Sequence, residues 1–308
     1  MARYIGRRIL QTIPVFFGAT FLIFAMVYLM PGDPVAALGG DRGLDPSVQA
    51  RIRAEYNLDQ PFWMQYLLYL KGVFTFDFGK TFSGRPVAEV MAHAFPITIR
   101  LAFFAIAIEA IFGIILGVIA GLRKGKIIDS TILVFSMILI SVPTFVMGFV
   151  LQFVVGVKLK WLPVTVGQTL DFKSLLMPAF VLAAVSLAYV IRLSRQSISE
   201  TMSADFVRTA RAKGMSGLAV TNRHILRNSL IPVVTFIGAD LGALMGGAII
   251  TEGIFNIKGV GGVLFDGIKK GEPATVVSMT TALVLVYIIA NLLVDLLYAA
   301  LDPRIRYE

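Results

Sequence analysis

The 308-residue sequence predicts an all-α integral membrane protein of six transmembrane helices, and three observations carry that expectation. Hydrophobic residues make up 57% of the chain and charged residues 15%, with a mean hydropathy of +0.80, so water alone could not solvate the folded chain. Apolar stretches of about 20 residues, each long enough to cross a hydrocarbon core roughly 30 Å thick, recur along most of the sequence. Between them lie short loops that hold most of the basic residues. No stretch is left for a separate soluble domain, so residues 1–308 read as one transmembrane domain.

The six spans are about Leu10–Met30, Ile97–Gly121, Ser130–Val157, Leu175–Ile191, Leu230–Ile250 and Val276–Leu301. Each is apolar all round rather than on one stripe, as lipid requires. The first follows Arg3, Arg7 and Arg8 and could be mistaken for a signal peptide. Its apolar stretch is too long for that, and Met30-Pro-Gly-Asp-Pro34 is a poor cleavage site, so it is read as a membrane helix.

Orientation follows from the bias of Lys and Arg toward cytoplasmic loops. One set of loops contains Arg3, Arg7 and Arg8, then Arg123, Lys124 and Lys126, the dense run from Arg192 to Arg227, and finally Arg304 and Arg306. The opposite short loops hold only Lys158, Lys160 and Lys173, then Lys258, Lys269 and Lys270. Both termini are therefore expected in the cytoplasm, with segment 31–96 outside and segment 203–228 inside. The outer segment is no linker, since Tyr56-Asn-Leu-Asp-Gln-Pro-Phe-Trp-Met-Gln-Tyr66 and Phe74-Thr-Phe-Asp-Phe78 are too aromatic for disorder. It is expected to fold back on the membrane face or a partner, or to form an interfacial aromatic belt.

The net charge of +9 does not mark a nucleic-acid binder, because the basic residues are divided among loops and form no aromatic-interleaved patch. The sequence has no Cys, which removes disulfides, thiolate metal sites and thiol nucleophiles. The two histidines, His93 and His224, lie in loops, and no histidine pair or carboxylate cluster has metal-ligand spacing. No catalytic, cofactor or metal residue is therefore assigned.

Inside the spans, Gly113, Gly117 and Gly121, and again Gly238, Gly242 and Gly246, recur at intervals of four, so each set lies on one helix face where backbones can approach closely. Whether the neighbour belongs to this chain or another is open at this point. Glu109, Asp240 and Asp295 also fall within apolar stretches, where an acidic group at the bilayer centre costs about 2.5–3.5 kcal/mol. Asp240, beside the second glycine face, is a candidate with Gly242, Gly246 and Glu109 for either a translocation path or interhelix packing. Asp295 is expected to serve as a structural partner.

The polar segment after residue 200 is the richest in signals. Ser203 is expected to cap a helix through Asp205 to Lys213, with Gly214 as its stop, and a second short helix is expected over Leu218–Asn228. Pro232 suits the first turn of span five. In the first helix Phe206, Val207 and Ala210 are expected to share an apolar side, with Arg208, Arg211 and Lys213 projecting elsewhere. By charge alone this segment would be an anchor for anionic lipid headgroups.

Its residue order points further. Arg208-Thr-Ala-Arg-Ala-Lys-Gly214, followed by Arg223-His-Ile-Leu-Arg-Asn228 and Ile231-Pro232, closely resembles the cytoplasmic coupling loop of ABC-importer permeases of the peptide and nickel branch. The superfamily pattern is Glu-Ala-Ala, three residues, then Gly; here Arg208-Thr209-Ala210 takes the first three places and Gly214 keeps the glycine. Pro31-Gly-Asp-Pro34, Leu58-Asp-Gln-Pro61 with Gln65-Tyr66, Thr251-Glu-Gly-Ile-Phe255 with Gly259-Val-Gly-Gly262, and Leu301-Asp-Pro-Arg304 extend the likeness over nearly the whole chain. The set resembles the first permease subunit of a dipeptide or oligopeptide importer. Two departures stand out: Lys258 replaces a usual proline, and Asp240 an uncharged amide.

The resemblance implies the transmembrane domain of a type I ABC importer in the bacterial cytoplasmic membrane. Implied partners are a second homologous permease subunit, two ATPase domains or subunits, an extracytoplasmic substrate-binding protein and membrane lipid. It implies that Asp205, Arg208, Thr209, Ala210, Arg211, Ala212, Lys213 and Gly214 form the ATPase-coupling loop. The chain itself lacks Gly-x-x-x-x-Gly-Lys-Ser/Thr, and Gly121-Leu-Arg-Lys-Gly-Lys126 has the wrong spacing. ATP and Mg are thus expected on the partner ATPases, with no cofactor in this chain. Secondary transport through Asp240 and Glu109 is the alternative, but no inverted repeat with broken helices supports it.

Overall fold

The computed structural model describes residues 2–29, 35, 45–55, 57–166 and 170–301. Pro31-Gly-Asp-Pro34, Asp302-Pro-Arg304 and the side chain of Asp295 lie outside the described residues. Among the described residues the regular structure is helical, with one isolated bridge between Lys80 and Pro86. Five helices are long and apolar enough to cross a membrane, or up to seven if each of two bent pairs counts as one span.

The helices are α1 (Ala2–Tyr28), α2 (Pro46–Glu55), α3 (Phe62–Thr75), α4 (Val87–Leu122), α5 (Ile127–Ser141), α6 (Thr144–Leu151), α7 (Phe172–Met202), α8 (Asp205–Ala212), α9 (Gly217–Val220), α10 (Arg227–Phe255), α11 (Val260–Lys270) and α12 (Pro273–Leu301). They fall into two compact units, residues 1–99 with 256–308 and residues 100–255.

In the first unit α1 packs on α12 and α3, and α11 on α12. The outer segment is ordered by its aromatics. Phe24 on α1 is buried within a cage of Tyr28, Phe62, Tyr66 and Tyr69, with ring centroids 4.2–5.4 Å away. Phe21 stacks on Trp63 at 5.6 Å. Such pairs each add about 0.5–1.5 kcal/mol beyond burial, so α3 folds back on α1 as expected for so aromatic a segment. Tyr66 Oη meets Thr20 Oγ1 at 3.2 Å, Tyr69 Oη bonds to Thr281 Oγ1, and Ser278 Oγ donates to the Phe78 carbonyl at 3.1 Å.

The second unit is built around α7, the most buried of the candidate spans, which packs against α5, α6 and α10. The glycine face of α4 lies along it. A Cβ on Gly113 would stand 2.6 Å from Val190 Cγ1, one on Gly121 2.7 Å from Ile198 Cβ, and one on Gly117 would collide with Ser194 Cβ. Three missing side chains thus admit three residues of α7 spaced at the same interval of four.

Several elements depart from the expected spans, among them α7, which runs past Ile191 to Met202 and so holds Arg192 and Arg195 in a helix rather than a loop. Span three is not continuous: α5 ends at Ser141, and α6, which runs on as a π-helical turn over Gln152–Lys158, is bent from it by 102°. Pro143 causes the break. It carries no N–H to bond back into α5, and it forces Val142 into an extended conformation (φ −89°, ψ 120°). Helix α4 begins ten residues before its apolar stretch, at Val87 rather than Ile97, and its 36 residues reach about 54 Å. Its amphipathic first turns lie outside the window that hydropathy alone selects.

Candidate functional site

The segment joining α7 to α10 is a folded element with its own small core. Val207 and Ala210 of α8 are buried with Ile198 of α7, Val220 of α9 and Ile225 of the π-helical turn Thr221–Leu226. Val118, Met202, Met215 and Leu226 pack around them. The remaining face of α8 is exposed: Asp205, Phe206, Arg208, Thr209, Arg211, Ala212, Lys213 and Gly214 all point to solvent. Phe206 is 45% exposed, so it leaves the apolar side expected for it and stands among the charges instead. Arg208 and Asp205 are paired at 3.7 Å, an exposed contact of little energetic weight.

The ends of α8 are set differently from the expected cap. Its N-cap is Ala204, without a side-chain bond, because Ser203 terminates α7, where its Oγ donates to the Glu200 carbonyl at 2.8 Å. The stop is at Gly214, whose φ of +79° is the left-handed conformation that favours glycine. Met215 N–H then donates to the Ala210 carbonyl at 3.3 Å. Ser216 caps α9 by accepting from Ala219 N–H at 3.3 Å. The expected separate helix over Leu218–Asn228 is absent, since α9 passes through the π-helical turn into α10. Pro232 accordingly lies inside α10 rather than in its first turn.

Three ties bind together the spans that carry this element. Arg195 of α7 grips Asp129 of α5 with a two-pronged contact, Nε to Oδ1 at 2.5 Å and Nη2 to Oδ2 at 2.8 Å. Asp129 is almost fully buried, its side chain 3% exposed, and also accepts from Gly125 N–H at 2.8 Å. Such fork geometry is the strong form of an ion pair. The second tie is Ser197 Oγ, which donates to the Ser229 carbonyl at 2.8 Å, linking α7 and α10 where they leave the element. The third is the glycine face of α4 against α7. Sequence reading missed the first two; the signal for one was present in Asp129, an acid at a span start just after the basic Arg123–Lys126 loop.

The intramembrane candidates separate. Glu109 on α4 is fully buried and interacts with Asp240 of α10. Gly242 is buried, whereas a Cβ on Gly238 or Gly246 would meet nothing within 4 Å. Lys258 pairs with Asp266 at 3.1 Å. No group of three or more His, Cys, Asp or Glu that could hold a metal ion is found among the described residues.

Family comparison decides what this architecture is. Residues 113–307 match the family described as binding-protein-dependent transport system inner membrane component, and residues 1–102 match its N-terminal counterpart. The chain belongs to that family. It is a multi-pass protein of the bacterial inner membrane, the transmembrane component of a binding-protein-dependent transport system.

Among its relatives are the dipeptide transport system permease protein DppB of Escherichia coli K12, 36% identical over the whole of both chains. Another is the di/tripeptide transport system permease protein DppB of Pseudomonas aeruginosa UCBPP-PA14, 35% identical over the same full extent. Two solved structures share the fold. The inward-facing MetNI methionine ABC transporter matches with a TM-score of 0.57 at 15% identity, over 69% of this chain and 96% of that one. An amino acid ABC transporter with histidines gives 0.51 at 15% identity, over 70% and 94%. All-α importer architecture is therefore common to chains whose sequences have largely diverged.

Proposed function

We propose that this family member is the first permease subunit of an ATP-driven importer of dipeptides or short oligopeptides. It forms half of the path together with a second homologous permease. A substrate-binding protein delivers cargo from outside, and two ATPase domains or subunits that hold ATP and Mg work from the cytoplasm. The chain itself is non-catalytic. Full-length identity to two peptide permeases supports the cargo class.

The observation that carries the coupling role is the two-sided build of α8. Its inner side, Val207 and Ala210, is locked into a core shared with α7, α9 and the π-helical turn that leads into α10, while its outer side offers Phe206, Arg208 and Arg211. A partner groove that grips the outer side moves the inner side with it, because the element is short and helical and its inner side is packed into that core. Closure of the ATPase pair on ATP then displaces α7 and α10 together, and the pore's two orientations supply the two-state element.

The test compares the two sides of one helix. Phe206→Asp leaves the chain assembled and lowers ATPase stimulation by cargo-loaded binding protein about tenfold, corresponding to about 1.4 kcal/mol of lost docking. Val207→Asp places a charge in the core and lowers the yield of assembled complex itself. Normal stimulation in an assembled Phe206→Asp importer would overturn the coupling role.

A further inference from the structure

Glu109 and Asp240 meet inside the membrane-spanning part of the second unit, one on α4 and one on α10. Glu109 is 0% exposed. Neither of its carboxyl oxygens, nor the buried Oδ2 of Asp240, has a hydrogen-bond partner, although Asp240 is the charged side chain that acts on Glu109. The two facts agree once the chemistry is written out. Ionised carboxylates are acceptors only, so two of them in contact offer four oxygens and no donor.

No nearby cation relieves this. Among the described residues the charged side chain that acts on Glu109 is Asp240. On α7, which packs against α4 and α10, Lys173 is exposed at the first turn, Arg195 is engaged with Asp129, Arg192 sits over the Tyr189 ring at 4.9 Å, and Glu200 accepts from Gln196 at 3.0 Å. On the two helices themselves the next charged groups, Arg100, Glu252 and Arg227, are more than two turns away along the axis. Two bare carboxylates here would each carry the insertion cost of about 2.5–3.5 kcal/mol and repel one another as well.

We propose that Glu109 and Asp240 form a one-proton site that bridges α4 and α10 within the membrane. The proton is taken from water and returned to water, with no other bond made or broken. It removes one of two charges and turns an acceptor–acceptor contact into an O–H···O bond to a carboxylate, the short and strong kind. A metal cation fits less well. Hard cations take six or more oxygens, and this pair supplies four.

The site rests on the membrane setting and not on the coupling role of α8, and its test is independent of ATPase stimulation. The full importer is reconstituted in lipid nanodiscs, and infrared spectra are taken at neutral pH in light and heavy water, with and without sodium. The wild type shows a protonated-carboxyl C=O band. Glu109→Gln and Asp240→Asn each abolish it, because an amide N–H then donates to the surviving carboxylate and no proton is needed. The same variants remove a pH-dependent part of thermal stability: raising pH strips the shared proton and loosens the wild type, whereas the amide donor cannot be lost. No band in the wild type, a band untouched by both substitutions, a band that appears only when sodium is withdrawn, or an unchanged alkaline loss of stability in both variants would each overturn the proposal.

Discussion

Gly214 shows how much one residue contributes to the coupling element. Its φ of +79° ends α8 and lets Met215 N–H reach back to Ala210. An added Cβ meets nothing within 4 Å, so a substitution is felt only through the backbone. Gly214→Ala is expected to destabilise the end of α8 by about 1 kcal/mol, the lower end of the cost of a left-handed L-residue. Amide hydrogen exchange over 205–214 should then quicken about fivefold, while the complex still assembles. Gly214→Asn should fall between wild type and alanine, since asparagine tolerates this conformation. Equal exchange in all three would mean that the helix stop lies in packing rather than in glycine.

Between elements, close approach and buried charge matter more than local propensity. The α4–α7 contact depends on the absence of side chains at Gly113, Gly117 and Gly121. Gly117→Ala, whose Cβ would strike Ser194 Cβ and the Ile191 carbonyl, should cost about 1–3 kcal/mol by overpacking and lower the melting temperature of the solubilised complex. Gly238→Ala, with open space around it, should not disturb this chain's own packing. Arg195→Ala would strand Asp129, 3% exposed, and should cost about 3–5 kcal/mol, as breaking a buried pair does. Arg195→Ala with Asp129→Leu should recover most of that loss, and no recovery would show that the fork is not the tie. The glycine period was legible because interval four is a property of one helix. Its partner was not, since a face says nothing of what covers it. Arg195–Asp129 was illegible for the same reason, with donor and acceptor 66 positions apart in the sequence. Pro143 was in plain view, yet an apolar length was read across it, and Ser203 was assigned to the wrong helix because it sits between two.

At the scale of the whole molecule, spans and loop charges were legible because the bilayer imposes one length and one sign bias on every segment. The bend at Pro143 shows the limit of that reading, as hydropathy counts residues and not direction. The charge bias also makes a claim about sidedness that the absence of Cys renders easy to test. A single introduced Cys is the only thiol in this chain, so labelling of the permease needs no background correction. Ser216 lies exposed in the α8–α9 turn, and Thr165 is exposed in the loop before α7. If Arg192 to Arg227 mark the cytoplasmic side, Ser216→Cys in intact cells stripped of their outer membrane should resist a charged, membrane-impermeant maleimide. It should react fully in inside-out vesicles, and Thr165→Cys should show the reverse. Thr165→Cys removes only a small exposed side chain and is expected to change stability by less than about 0.5 kcal/mol, whereas Ser216→Cys also removes the cap of α9 and is expected to cost about 0.5–2 kcal/mol. Labelling of both positions from the same face would refute the assigned orientation, and with it the reach of α8 to a cytoplasmic ATPase, while leaving the fold intact.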